Sequence, residues 1–244
     1  MKEGSEMTEQ RVALVTEGNK GIGLEIARQL AQAGVHVVIG ARDDERARVA
    51  VEELTQQGPS VDSVRIDLDD LSTVAPAADE IRSRHGRLDI LVNNAGIFDF
   101  ADAAPSEASI DAVRHVMEIN FIGALAVTQA VLPLLREAPG ARIVNVSSSL
   151  GSLALNGDPE SNYYAQRYIG YNASKAALNM LTIQLNEELK GTGIVVNSVS
   201  PGFVKTDLTG YGNMTPEEGA AARATALEGA ASGGFFEPDG TTPW

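Results

Sequence analysis

The regular alternation of short apolar, β-branched runs with segments of helical period constrains this chain more than any other feature. Val12–Val15, Val35–Ile39, Val61–Ile66, Leu88–Val92, Ile143–Val146 and Ile194–Val199 read as strands. Between them Gly21–Ala33, Arg42–Gln57, Leu71–His85, Ile110–Arg136 and Tyr171–Lys190 read as helices. Ile22, Ile26 and Leu30 share one face of the first helix, and Leu178, Leu181, Leu185 and Leu189 recur along the last. Pro133 predicts a bend near the end of Ile110–Arg136. Strands without polar alternation are buried on both faces. The pattern therefore predicts an α/β chain with one doubly wound parallel sheet and helices on both faces. The irregular stretches Ser149–Ile169 and Pro201–Pro216 follow strands, and sheets of this kind bind ligands beyond the carboxyl ends of their strands.

The 244 residues fit one such domain, expected over residues 11–244 behind a polar, disordered tail at residues 1–10. Apolar residues make up 43 % of the chain, enough for a core. No apolar run reaches the ~18 uninterrupted residues of a membrane span. Met1–Gln10 lacks the apolar centre of a signal peptide. Without cysteine there are no disulfides and no thiolate chemistry. A formal net charge of −14 offers no basic surplus for nucleic acid phosphates. The expectation is a cytoplasmic protein acting on a small molecule, with neither nucleic acid nor membrane as partner.

The first strand runs into Thr16-Glu17-Gly18-Asn19-Lys20-Gly21-Ile22-Gly23. A glycine-rich turn that opens a helix presents free backbone N–H groups at the positive end of the helix dipole, where a pyrophosphate fits. This makes the sheet a Rossmann-type one, and Gly18, Asn19, Lys20, Gly21, Ile22 and Gly23 the candidate phosphate cradle. The plain alternative is an ordinary strand-to-helix turn. The second strand ends in Gly40-Ala41-Arg42, without the acidic residue that would bind a ribose 2′-hydroxyl. Arg42 offers a forked donor suited to a 2′-phosphate. It also reads as the solvated first turn of a charged helix. Tyr171 and Lys175 stand four residues apart, on one helix face. A phenol of pKa ≈ 10 is a weak proton donor at neutral pH, and a neighbouring ammonium would lower that pKa. A surface Tyr–Lys pair is the plain alternative. His36, His85 and His115 stand singly, and no metal site is read from them.

On these motifs the chain resembles the short-chain dehydrogenase/reductase family, from Arg11 to about Thr206. Gly21 and Gly23 match the last two glycines of the family's Thr-Gly-x-x-x-Gly-x-Gly turn, but Glu17 stands where the first belongs. Gly18 could take the unusual dihedrals in its place. The resemblance implies NADP(H), held also by Asp67 and Leu68 on the adenine side, although this pair reads equally as a helix N-cap region. Asn94, Ala95 and Gly96 match the Asn-Asn-Ala-Gly signature after the fourth strand. Pro201, Gly202, Val204 and Thr206 match the loop that holds the nicotinamide carboxamide. The family's catalytic set falls on Asn120, Ser148, Tyr171 and Lys175, with Tyr171 and Lys175 also touching the cofactor. Ser148 would bind the substrate oxygen. Asn120 would hold a water leading from Lys175 to solvent; a buried structural hydrogen bond is its other reading.

Ser148 and Tyr171 lie 23 positions apart, more than in the shorter members. The longer segment Ser152–Ile169, and the tail from Phe235 to Trp244, resemble carbonyl-reductase-like members. In these the extra segment covers the surface used for tetramers, which implies a monomer. Phe98, Phe100, Phe203 and Tyr211 suggest a partly apolar substrate pocket. The implied activity is NADPH-dependent reduction of a ketone or aldehyde. Two other readings share the fold. One is a Rossmann module silenced by Glu17, and the other is an NAD-dependent alcohol dehydrogenase.

Overall fold

The structure is a computed structural model that describes residues 10–56, 60–206, 210–220, 231–238 and 240–244. Apart from Gln10, the expected N-terminal tail lies outside the described residues. Eight strands form one sheet: β1 (Val12–Thr16), β2 (His36–Ala41), β3 (Val61–Arg65), β4 (Ile90–Asn93), β5 (Arg142–Val146), β6 (Val195–Val199), β7 (Phe235–Glu237) and β8 (Gly240–Thr241). Their order is β3-β2-β1-β4-β5-β6-β7-β8. All pairs are parallel except β7–β8, an antiparallel hairpin at the edge. The expected parallel sheet is therefore mixed at its last strand. β7 and β8 are too short to carry a periodic signal.

Helices α1 (Gly21–Gln32), α2 (Asp44–Thr55), α3 (Val74–His85), α4 (Ile110–Met117), α5 (Ala124–Arg136), α6 (Leu153–Gly157) and α7 (Ile169–Glu188) surround the sheet. Leu14, Val38, Leu91 and Ile143 point to one core layer with α3, α5 and α7. Their strand neighbours Ala13, Val15, Ile39 and Val144 point to the other, with α1 and α2. Strands buried on both faces are the physical origin of the unalternating apolar runs. Ile110–Arg136 is long and apolar enough to span a bilayer, yet half of it is buried inside the fold, as a core helix is. Its departure from α-geometry falls at Glu118–Gly123, a π-helical segment, ahead of the predicted bend at Pro133.

Neighbouring β1 and β4 send their chains to opposite sides, so a crevice opens between their carboxyl ends. This is the switch point at which a doubly wound sheet binds ligands.

Candidate active site

At the crevice, β1 delivers the glycine-rich turn to α1. Lys20 is the N-cap of α1, makes no side-chain cap, and no acidic residue lies in the first turn. The positive end of the helix is thus left for an anion. Gly23 is required by contact: a Cβ there would collide with the Glu17 carbonyl and the Asn94 amide. The strained position is Glu17 itself, with φ 51°, the one non-glycine residue at positive φ among the described residues. The expectation that Gly18 would absorb the strain is corrected. Gly18 is not among the positive-φ glycines, and its own Cβ would lie 2.9 Å from the Val15 carbonyl oxygen. The turn needs its left-handed residue where the family has glycine, and Glu17 adopts that conformation at a cost. Its carboxylate pairs with Lys20 Nζ at 3.1 Å.

Asn94, Ala95 and Gly96 are tied to that turn. Thr16 Oγ1 accepts from the backbone N–H groups of Asn94 (2.9 Å) and Ala95 (3.0 Å), and Asn94 Nδ2 donates to the Thr16 carbonyl at 2.9 Å. A Cβ on Gly96 would sit 3.3 Å from Lys175 Nζ and 3.5 Å from Asn120 Oδ1, so glycine keeps this floor open. Thr206 approaches from the loop after β6, its Cγ2 3.8 Å from where a Gly21 Cβ would be. In the same loop Gly202 has φ 81° and Val204 is buried, bridged to Met214.

At the end of β2, Arg42 is exposed and donates to Asp69 Oδ2 at 3.0 Å. A hollow of about 230 Å³ beside α2 is lined by Asn19, Lys20 and the α2 residues Glu45, Arg46, Val49, Ala50 and Glu53. Arg46 is a second cation there, unmarked by any motif. Asp67 serves a local turn, accepting from the Asp69 N–H at 3.1 Å, while Asp70 is the residue that caps the short helix Leu71–Thr73. Leu68 packs on Gly123, where a Cβ would be 2.8 Å from Leu68 Cδ1.

Tyr171 and Lys175 project from the first turns of α7 towards the end of β5. The Tyr171 phenol faces the Ser148 hydroxyl. Lys175 Nζ lies 5.7 Å from the Tyr171 ring centre and donates to the Val146 carbonyl at 2.9 Å. Gly151, three residues after Ser148, permits this approach: a Cβ there would be 2.6 Å from the Lys175 carbonyl carbon. Burial pulls the Lys175 pKa down to about 8. Burial also pushes the Tyr171 pKa up to about 12, and the neighbouring Ser148 hydroxyl only partly opposes it. The expected lowering of Tyr171 by the ammonium is thus overturned. Lys175 is bonded to Val146 rather than to the phenol, and desolvation of the phenolate dominates. At neutral pH the phenol is fully protonated, the state a proton donor needs.

Asn120, fully buried in the π-helical segment, makes three hydrogen bonds. It accepts from the Ile97 N–H at 2.7 Å and donates to the Ile97 carbonyl at 2.9 Å and to Ser174 Oγ at 3.0 Å. It thereby ties the loop after Gly96 to α7. Asp102 was invisible to sequence reasoning. Its buried carboxylate accepts from the N–H groups of Gly170 (2.9 Å) and Tyr171 (2.8 Å), capping α7 from 69 residues away. Gly170 makes room for it: a Cβ would lie 3.2 Å from Asp102 Oδ2. Beneath the site runs a buried polar chain. Asn93 donates to Asn145 (2.8 Å) and Thr128 (2.9 Å), Asn145 to Thr182 (2.7 Å), and Thr182 lies 2.8 Å from Ser198. Phe98 forms an apolar wall, edge-on to Tyr171 at 5.8 Å, Tyr168 at 5.1 Å and Phe100 at 5.5 Å. Phe203 and Tyr211 pair with each other at 5.6 Å.

Known proteins are similar to this chain. A family model described as short chain dehydrogenase matches residues 11–216. Salutaridine reductase of Papaver bracteatum is 34 % identical over 278 residues, covering 88 % of this chain and 89 % of the relative. Human carbonyl reductase [NADPH] 1 is 35 % identical over 247 residues, covering 86 % and 87 %. Among solved structures, an NADPH-bound carbonyl reductase from chicken fatty liver superposes with a TM-score of 0.85 at 29 % identity, over 97 % of this chain and 100 % of that one.

Proposed function

This chain belongs to the short-chain dehydrogenase/reductase family, and from that premise we propose that it reduces a ketone or aldehyde with NADPH, Tyr171 giving the proton. The observation that carries this reading is the convergence of three groups at the switch point. The Tyr171 phenol faces the Ser148 hydroxyl, and Lys175 Nζ lies 5.7 Å from the phenol ring on the open floor of Gly96.

The residues present fit a phosphorylated dinucleotide. The uncapped start of α1 suits the pyrophosphate, Lys20 and Arg46 line the hollow beside α2, and Arg42 follows the last residue of β2. Asn94, Ala95 and Gly96 offer a floor of small residues, and Val204 and Thr206 flank the crevice from the loop after β6. Among the relatives, carbonyl reductases are named for or bound to NADPH. When bound, NADPH supplies the hydride.

The protein's own residues handle the oxygen and the proton. Ser148 and Tyr171 hydroxyls together bind the substrate carbonyl oxygen, and the protonated phenol donates to it as negative charge develops there. Lys175 adds positive charge beneath the phenol. Asn120 and Asp102 hold α7 and the loop after Gly96 in register. Phe98, Phe100 and Tyr168 give the substrate an apolar wall, which favours a partly apolar carbonyl compound. The segment before Tyr171 folds back on α7, with Asn172 Nδ2 on Asn156 Oδ1 and the Gln166 carbonyl, both at 3.0 Å. That covering supports a monomer, which light scattering would check.

A panel of ketones and aldehydes with NADPH consumption as the readout tests the activity. Tyr171→Phe should lower kcat by about 10²–10⁴-fold while fluorescence titration gives an NADPH Kd close to that of the parent. Parent-like turnover by the variant would reject Tyr171. A parent chain that binds neither NADPH nor NADH would reject the enzyme reading altogether.

A further inference from the structure

Two histidines that stand 49 positions apart in sequence meet at the opposite edge of the sheet from Tyr171. His36 opens β2, Asp62 is the second residue of β3, and His85 ends α3. Asp62 Oδ2 lies 3.4 Å from His36 Nε2 and 3.3 Å from His85 Nε2. The three potential ligand atoms all fall within 4.8 Å of one another. The two rings are 4.4 Å apart, tilted by 44°. His36 Nδ1 is held 2.6 Å from Ser60 Oγ, which turns its other nitrogen towards Asp62. His36 Nε2, His85 Nε2 and Asp62 Oδ1 are shielded from solvent and have no hydrogen-bond partner.

Shielded polar atoms without hydrogen-bond partners are costly, and the two imidazole Nε2 atoms, both facing the Asp62 carboxylate, suit a shared cation. Zinc takes neutral imidazole nitrogen at ~2.0–2.1 Å and carboxylate oxygen at ~2.0–2.2 Å, usually in a tetrahedron. Such a tetrahedron has edges of about 3.3–3.4 Å. The two nitrogen–oxygen separations match those edges, and the nitrogen–nitrogen separation is at most 4.8 Å. The Ser60 contact on the far side of His36 is the outer hydrogen bond that fixes a ligating imidazole. We propose that His36, Asp62 and His85 form a zinc site, with water at the fourth position, that clamps β2, β3 and α3 together.

One neighbour opposes it. Arg84 Nη1 lies 3.5 Å from the same Asp62 oxygen. Its guanidinium is anchored on the Ser63 carbonyl at 3.2 Å and on Glu80, so it competes for charge without closing the site. Arg84→Gln should therefore tighten zinc several-fold.

The full chain, freed of any affinity-tag histidines and stripped with chelator, is titrated with Zn²⁺ by calorimetry and with Co²⁺ by visible absorption. One Zn²⁺ per chain is expected. His85→Gln and His36→Gln should each weaken it at least tenfold, while His115→Gln, outside the cluster, leaves it unchanged. At a hundredfold excess over Kd the parent's Tm should rise by about 5–10 °C. Co²⁺ should give the intense spectrum of a four-coordinate site, a readout on the parent that holds even if a variant fails to fold. Equal affinities in parent and His85→Gln, or a weak six-coordinate Co²⁺ spectrum, would overturn the site.

Discussion

Replacing Glu17 by glycine should tighten NADPH binding by about five- to tenfold at little cost in stability. Glu17 sits at φ 51° in the turn that opens α1, and its carboxylate is 3.1 Å from Lys20 Nζ. An L-residue in the left-handed region costs roughly 1–2 kcal/mol. Glycine removes that strain but adds back roughly 0.5–1 kcal/mol of unfolded-state entropy. Loss of a half-exposed ion pair removes at most about 1 kcal/mol more. These contributions nearly cancel, so Tm should move by only a few degrees. Cofactor affinity is different, because two effects act in the same direction. A carboxylate ~5 Å from a phosphate at an effective dielectric of ~20 repels it by about 3 kcal/mol. The Lys20 partner and screening salt cut this to ~1 kcal/mol, and the substitution also frees Lys20 for the phosphates. About 1–1.4 kcal/mol corresponds to the predicted factor. Calorimetric titration of NADPH into the parent, Glu17→Gly and Glu17→Gln separates the parts. Glu17→Gln should recover the electrostatic share while keeping the backbone strain. Equal affinities in all three proteins would mean that the carboxylate points away from the phosphates. Weaker binding by Glu17→Gly would mean that the Glu17–Lys20 pair supports the turn, and the reasoning would fall.

Replacing Lys175 by methionine should abolish activity yet stabilise the fold at pH 7 by on the order of 1–3 kcal/mol, measured by urea unfolding. The folded Lys175 pKa is about 8 against an ordinary 10.5, so the penalty is fully present below pH 8. It fades as pH rises towards 10.5, and the parent should gain on the variant over that window; a pH-independent difference would contradict this. Asp102→Ala leaves the Gly170 and Tyr171 N–H groups uncapped. It should cost ~1–2 kcal/mol of stability and lower kcat more than it raises the NADPH KM, with Asp102→Asn restoring part of both; a parent-like kcat would remove Asp102 from the positioning of Tyr171. The pair Ala41→Asp with Arg42→Ala should shift preference towards NADH by roughly 10–100-fold, since a charge-assisted bond to phosphate is worth ~1.5–3 kcal/mol and the exposed Asp69 contact is cheap to leave. Unchanged relative Kd values for the two cofactors would hand the 2′-phosphate to Arg46 and Lys20.

Much of the fold was legible because its signals are local. Strand runs such as Val12–Val15 and Ile143–Val146 lack polar alternation, since both of their faces are buried, and the helices between them carry period-3.6 stripes. Strand and helix bounds differ from expectation by a few residues. The exceptions are the π-helical Glu118–Gly123 and the short β7 and β8, whose geometry comes from packing rather than from pattern. The site motifs were legible for the same reason. A phosphate turn, a Tyr-x-x-x-Lys pair and a glycine three after Ser148 each work within one or two turns of chain.

What the sequence by itself determined is thus which residues can cradle a phosphate, lie on one helix face or bury a strand. Tertiary structure alone decided which of them meet. It made Glu17 rather than Gly18 carry the left-handed backbone, while Gly18 leaves room for the Val15 carbonyl. It set Asp102 on the start of α7 and turned Asn120 onto Ile97. It raised the Tyr171 pKa where sequence spacing suggested a fall, because burial acts on the phenolate from every side while the ammonium is bonded elsewhere. It also brought His36 and His85 to one carboxylate. Each of these depends on strand order and register between residues far apart in sequence, and desolvation and long-range contact exist only once the sheet has closed around them.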